Sequence, residues 1–407
     1  MKKFLLSAVF LCAAVLGFAK DKVIKIYTWN DEFEVIYGYS CREKMEERGI
    51  FTEFIVKPNH DGVYLTNLNN ELEEGEVDIF LLEPDALVKY MNGEYATDIE
   101  VLGITEKDIE NQYDFTKKFA SDKNGKIKAL TWQCCPGAFI YKRSIAYDVF
   151  GTDDPAKIQN LLKDWKSFEN AAAECAGKGY KIISCPESTY HVFGSQMKEP
   201  WIFDGKVNID ASVRKWVEQA KMFVEEGYTE PVGQWSEAWF KDMRENTTLG
   251  FFGPGWFLDY VIAPNAAETS GDWAVCMGPD GWYWGGSYVC VASNSKNKKE
   301  AAEILKMITC DEKTLEIIHK KQNDFVNNRK LMNKIAKSKD DEKEFLRGQN
   351  PYKYFCQSAD SIKAVVADDY NISWQFESSM LDYIKGTCTR KDAVKAFKKD
   401  VKKAGLR

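Results

Sequence analysis

The segment Thr28-Trp29-Asn30-Asp31-Glu32-Phe33-Glu34 sets a large ring beside an amide and three acids. Sugars bind through two physical terms: their C–H faces stack on flat rings, and their hydroxyls hydrogen-bond to carboxylates and amides. Trp29, Asn30, Asp31 and Glu32 supply both. Acids beside rings also suit a cationic amine, through ion pairing and cation–π contact. For Glu34, an acidic helix start that complements the macrodipole accounts equally well. Further rings fall where regular structure breaks: Trp132 with Gln133, Trp201 after Pro200, Trp256 in Gly-Pro-Gly-Trp, and Trp282-Tyr283-Trp284 before Gly285 and Gly286. Two glycines after rings permit close backbone approach or a hinge. Trp235 and Trp239 are four apart and would share a helix face, a spacing more often found in cores.

Catalytic patterns are sparse. The three histidines, His60, His191 and His319, are far apart, so no HExxH or HxxH zinc site exists. No G-x-S-x-G, P-loop or complete G-x-G-x-x-G is present, and the two S-x-x-K matches, at Ser195 and Ser295, lack their partner motifs. No cofactor is implied. Carboxylate pairs such as Asp31 with Glu83 leave a secreted carbohydrate-active enzyme open as an alternative. It would need the pair about 5–5.5 or 6.5–9.5 Å apart across a sugar.

These residues need elements to hold them. Residues 23–29, 51–57 and 77–82 read as strands separated by helical stripes, Phe33, Ile36, Tyr37 and Met45, then Tyr64, Leu65, Leu68 and Leu72. A β-α-β-α-β order predicts a parallel sheet, whose ligands sit beyond the carboxyl ends of its strands. Three loops then converge: Trp29 to Glu32 after the first strand, Asn59, His60 and Asp61 after the second, Glu83, Pro84 and Asp85 after the third. Residues 127–141 read as strand around a Cys-Pro-Gly break and 286–292 as another strand. Helices are expected at 155–175, 211–227, 298–309, 311–320, 376–385 and 390–403.

The 407 residues suggest two to three domains, with no low-complexity linker to separate them. A formal charge of −7 argues against nucleic acid as partner. Residues 1–19 have a basic start, an apolar run over 4–18 and Ala19 before Lys20, which predicts a signal peptide cleaved after Ala19. Phe10 and Leu11 before Cys12 do not suit a lipidation signal. The ten later cysteines lie mostly in apolar stretches and read as small buried hydrophobes. The segment 385–407 holds nine basic residues and two acids, and reads as an amphipathic surface helix.

Six segments resemble extracellular solute-binding protein family 1, the carbohydrate-binding subunits of ABC importers. They are IKIYTWNDEF at 24–33, VDIFLLEPDALVKY at 77–90, IKALTWQCCPGAFIYKRSIAYDVFG at 127–151, LGFFGPGWF at 249–257, YWGGSYVCVASNSKNKKEAAEILKMIT at 283–309 and MLDYIKGTCTRKDAVKAFKKDV at 380–401. The resemblance implies an α/β, two-lobed periplasmic binding protein fold of type II with interleaved lobes and three hinge crossings, near 131–135, 285–288 and 322–329. The lobes would be 20–131 plus 288–325, and 132–287 plus 326–407. It implies a monomer with no chemistry of its own, exported to the periplasm or the outer face of the cytoplasmic membrane. There it would hand a sugar or oligosaccharide to permease subunits, with a polyamine as the alternative cargo. Ligand residues implied by motif are Trp29, Asn30, Asp31, Glu32, Glu83, Asp85, Trp132, Trp256, Trp284, Gly285 and Gly286, with Asp61 and Trp201 as weaker matches.

Overall fold

The structure, a computed structural model, describes residues 22–59, 62–363 and 369–403. The expected signal peptide and Asp61 lie outside these residues. In chain order the strands are β1 (Lys22–Thr28), β2 (Ile50–Val56), β3 (Ile79–Leu82), β4 (Ala129–Thr131), β5 (Gly137–Lys142), β6 (Lys181–Ile183), β7 (Ile202–Phe203), β8 (Lys206–Val207), β9 (Thr248–Pro254), β10 (Trp273–Cys276) and β11 (Tyr288–Val291).

One sheet has the order β2-β1-β3-β11-β4, with β1, β2 and β3 parallel and β11 antiparallel to its neighbours. The centre of the sheet follows from the sequence pattern: β3, in the parallel part, and its antiparallel neighbour β11 are buried along their whole length, as strands covered on both faces must be. The stripe Phe33, Ile36, Tyr37 and Met45 is fully buried, but on two helices, Glu32–Ser40 and Arg42–Glu46, that part at Cys41. A second sheet has the order β10-β5-β9-β6, with β6 and β9 parallel. The segment 127–141 is two strands parted at its expected break, and β4 and β5 belong to different sheets. The expected helix 155–175 is likewise two, Pro155–Leu161 and Trp165–Gly177, because Asp164 caps a new helix by accepting from the Ser167 N–H.

The chain passes from the first sheet to the second at 132–136 and back at 277–287. At 323–328 it passes again, from the helix Glu312–Gln322, packed on Glu32–Ser40, to the helix Tyr352–Ser361, packed on β5. The first crossing lies between the others. The Trp284 N–H bonds the Cys135 carbonyl and the Gly137 N–H the Trp282 carbonyl, while the Cys134 N–H bonds the Phe325 carbonyl and the Asn327 N–H the Trp132 carbonyl. Gly137 is required there, since a Cβ would lie 2.1 Å from the Trp282 indole.

A separate apolar cluster ties the end of the chain to the second sheet's side. It joins Trp201, just before β7, to Trp216, Ile372, Phe376, Met380, Phe397 and Val401 from the helices Ala211–Glu225, Tyr370–Ile384 and Arg390–Lys403. The ten described cysteines are unpaired; eight are buried and Cys310 and Cys388 are half-buried. Among the described residues no helix is long and apolar enough to cross a membrane.

Candidate functional site

Strand ends position the residues. Beyond β1, the Asn30 carboxamide oxygen accepts the Glu32 N–H at 3.2 Å and so starts the helix Glu32–Ser40. Asp31 is exposed, and its carboxylate has no protein partner among the described residues. Trp29 is half-buried and meets Tyr64 edge-on at 5.5 Å, while the Tyr64 hydroxyl donates to the Leu81 carbonyl at 2.7 Å. Beyond β2, the Asn59 amide donates to the Glu83 carboxylate, beyond β3, at 2.6 Å. Burial raises the Glu83 carboxyl, and the Asn59 hydrogen bond partly opposes it. Asp85 sits half-buried in the turn Pro84–Ala86. The first lobe thus lines its strand ends with acids and amides around one ring.

The second sheet sends different chemistry to its strand ends. Beyond β9, the Trp256 indole N–H donates to the Trp284 carbonyl at 3.1 Å, and the two rings meet edge-on at 5.1 Å. His191, beyond β6, stacks on Trp284 with centroids 4.4 Å apart and planes 22° from parallel. Burial drops the His191 imidazole to about 4, so it is neutral at physiological pH. Trp235 approaches Trp284 to 5.9 Å. It is 46% exposed and has φ of 67°, so it precedes the helix Glu237–Arg244 and does not share its face with the buried Trp239. Gly285 and Gly286 have φ of 83° and 116°, the left-handed region that favours glycine, and lie against the Trp256 indole nitrogen and the Gln133 carbonyl.

The crossings join these walls. The Gln133 amide donates to Glu32 at 3.4 Å and to the Ser287 hydroxyl at 3.3 Å. Burial pushes Glu32 up to about 7, offset in part by Gln133 and reinforced by the charge of Asp31. Asp324, on the third crossing, is raised well above the usual range by burial and by the charge of Glu32.

Two expected residues fall elsewhere. Trp132 is fully buried: its indole N–H donates to Asp324 at 3.2 Å and its ring packs on Phe33, so it braces the crossing and offers no ring face to a ligand. Trp201 is 2% exposed and packs on Phe376 and Phe397 in the separate helical cluster. Its place between polar stretches misleads because those stretches flank the small hairpin β7–β8. The sequence reading missed Glu187 and His191. Both follow β6, a three-residue strand whose pattern is too short to register. Glu187 is buried with one carboxylate oxygen unpartnered, and the other accepts the Gln234 N–H at 3.4 Å, beside Trp235. Among the described residues no cluster of acids, histidines and cysteines suits a metal ion.

Comparison with solved structures gives close agreement of fold at low identity. A crystal structure of an extracellular solute-binding protein of family 1 is 21% identical, with a TM-score of 0.82 over 94% of this chain and 99% of that one. The sugar-binding protein MalE of Xanthomonas citri is 15% identical, with a TM-score of 0.74 over 93% and 96%. The galacto-N-biose- and lacto-N-biose I-binding protein of the ABC transporter from Bifidobacterium longum, in complex with lacto-N-biose, is 15% identical, with a TM-score of 0.72 over 95% and 99%. The fold is therefore the two-lobed, interleaved α/β fold of periplasmic binding proteins. No curated protein matches the chain. The family model described as bacterial extracellular solute-binding protein matches residues 52–344, well over half of the sequence, and the chain belongs to that family.

Proposed function

We propose that this protein captures a sugar or oligosaccharide in the cleft between its sheets and delivers it, unaltered, to the permease of an ABC importer. The observation that carries the reading is the division of labour between the walls. Acids and amides (Asn30, Asp31, Glu32, Asn59, Glu83) stand on one side of the Gln133 crossing. A group of rings (Trp256, Trp284, Trp235, His191) stands on the other. A pyranose has the matching asymmetry, hydroxyls around its rim and C–H bonds on its faces. MalE and the lacto-N-biose-binding protein, which share the fold, are sugar binders by description.

Capture would be a closure of one lobe (20–131 plus 288–325) on the other (132–287 plus 326–407). A ligand that touches both walls stabilises the closed state by its differential affinity for it. Export and work as a monomer at the outer face of the membrane belong to the same reading.

The test is thermal unfolding of residues 20–407 with a panel of neutral sugars and polyamines, followed by chromatography of the recovered ligand. Ligand at 100 times its Kd adds about 2.7 kcal/mol to the folded state, a readable shift. A shift with one sugar class and intact ligand supports the proposal. A shift with polyamines alone, or recovery of cleaved sugar, overturns it.

A further inference from the structure

The helix Arg390–Lys403 carries seven basic and two acidic residues in a chain whose formal charge is −7. It is anchored by Ala393, Phe397 and Val401, which are buried in the cluster with Trp201 and Phe376. At about 100° per residue, Lys391, Lys395, Lys398 and Lys402 fall within one wedge of roughly 60°, turned away from that buried stripe. All four are exposed, as are Lys399 and Lys403 beside them.

An ordinary solvated helix face interleaves acids with its bases, because like charges three and four residues apart destabilise it. Here none of these six lysines pairs with a carboxylate among the described residues. Asp392 instead accepts from the Thr389 hydroxyl at 2.6 Å, and Glu218, on the helix Ala211–Glu225, pairs with Arg390 at 3.5 Å. The macrodipole favours Lys402 and Lys403 in the last turn but gives no reason for Lys391, Lys395 and Lys398.

We propose that this lysine face docks the protein on an anionic phospholipid surface. A stripe of four to eight lysines on an amphipathic helix is what such a surface attracts. The buried stripe fixes the helix rigidly to the second lobe, so the lysines are presented in a fixed orientation rather than on a tail. The remainder of an acidic chain would be repelled by the same surface, which orients the molecule helix-first. The inference is independent of which solute fills the cleft.

The test is co-sedimentation of residues 20–407 with vesicles of phosphatidylcholine, with or without about one third phosphatidylglycerol. The anionic vesicles are expected to hold at least about fivefold more protein at low salt, with the difference lost near 0.5 M salt, where screening is about 4 Å or shorter in range. The variant Lys391→Gln/Lys395→Gln/Lys398→Gln/Lys402→Gln removes only exposed side chains, so it should unfold at the wild-type temperature and lose the anionic preference. Equal sedimentation with both vesicles, or a folded quadruple variant that binds like wild type, overturns the proposal.

Discussion

The Gln133 amide reaches the Glu32 carboxylate at 3.4 Å while its chain neighbour Trp132 donates to Asp324 at 3.2 Å. One dipeptide of the first crossing therefore grips an acid at the mouth of the first lobe and an acid on the third crossing. Burial raises the proton affinity of both acids, and the charge of Glu32 raises that of Asp324 further. The proposed ligand wall and the crossings are thus not separate parts, because a hydrogen bond taken by Glu32 acts on the residue that laces the crossings together.

That coupling predicts a pH dependence with two opposed parts. Glu32 moves from an ordinary 4.5 to about 7 in the folded chain. Its contribution to stability is full below about 4.5 and is lost as pH rises through 7. Asp324 acts in the same sense. His191 moves from 6.5 down to about 4, so it binds its proton more weakly when folded, and stability rises with pH across that interval. Between about 4.5 and 6.5 the two oppose each other, and above 6.5 only the acids remain. Unfolding temperature should fall from pH 6.5 to 8. In Glu32→Gln that fall should shrink, and the rise due to His191 below 6.5 should steepen. A Glu32→Gln profile parallel to wild type would contradict the assignment.

Asp31 is expected to contact ligand directly, since its carboxylate is exposed at the end of β1 with no protein partner among the described residues. Loss of a charge-assisted hydrogen bond costs about 1.5–3 kcal/mol, so Asp31→Ala should raise Kd at least about tenfold. The unfolding temperature without ligand should stay within a degree or two of wild type, because nothing in the fold depends on that carboxylate. Titration calorimetry with the sugar found by the unfolding screen checks both.

Much of this arrangement is legible in the sequence. The strands β1, β2 and β3 announce themselves because runs such as Ile79–Leu82 are apolar throughout and the helices between them keep a 3.6-residue stripe. The loops that follow therefore identify Trp29, Asp31 and Glu83. The second wall is harder to read. Its strand β6 has three residues, so the loop that carries Glu187 and His191 has no visible strand before it. Trp132 and Trp201 mislead for a different reason. A tryptophan beside polar residues looks like a ligand shelf, yet whether its face is covered depends on Phe33 or Phe376, residues far away in sequence. Burial of a single ring is a tertiary property, and periodicity does not report it.

Trp284 and Trp201 make a matched pair for separating site from core. Trp284 is half-buried and held by His191 and Trp256, whereas Trp201 is 2% exposed among Phe376 and Phe397. Trp201→Ala should cost about 3–5 kcal/mol of stability, as for other buried large-to-alanine changes, and leave the Kd of the folded fraction unchanged. Trp284→Ala should do the reverse, weakening sugar binding by about two- to tenfold through loss of a stacking face. Chemical denaturation and titration of the two variants side by side check the pair. An unaltered Kd in Trp284→Ala would remove it from the ligand wall.

Gly286 tests the hinge itself. Its φ of 116° lies where a side chain is strained, and a Cβ there would stand 3.6 Å from the Gln133 carbonyl, an ordinary contact. Strain, not a clash, is therefore the expected effect of Gly286→Ala, and such backbone strain costs of order 1–3 kcal/mol. The second crossing would relieve it by shifting against the first, which displaces Trp284 relative to Gln133 and Glu32. Affinity should fall by about tenfold while Trp284 and Glu32 remain in place chemically. Small-angle scattering with and without ligand checks the cause: the wild type should contract on binding, and the variant should contract less at saturating ligand. Full contraction with wild-type affinity would show that the second crossing does not govern closure.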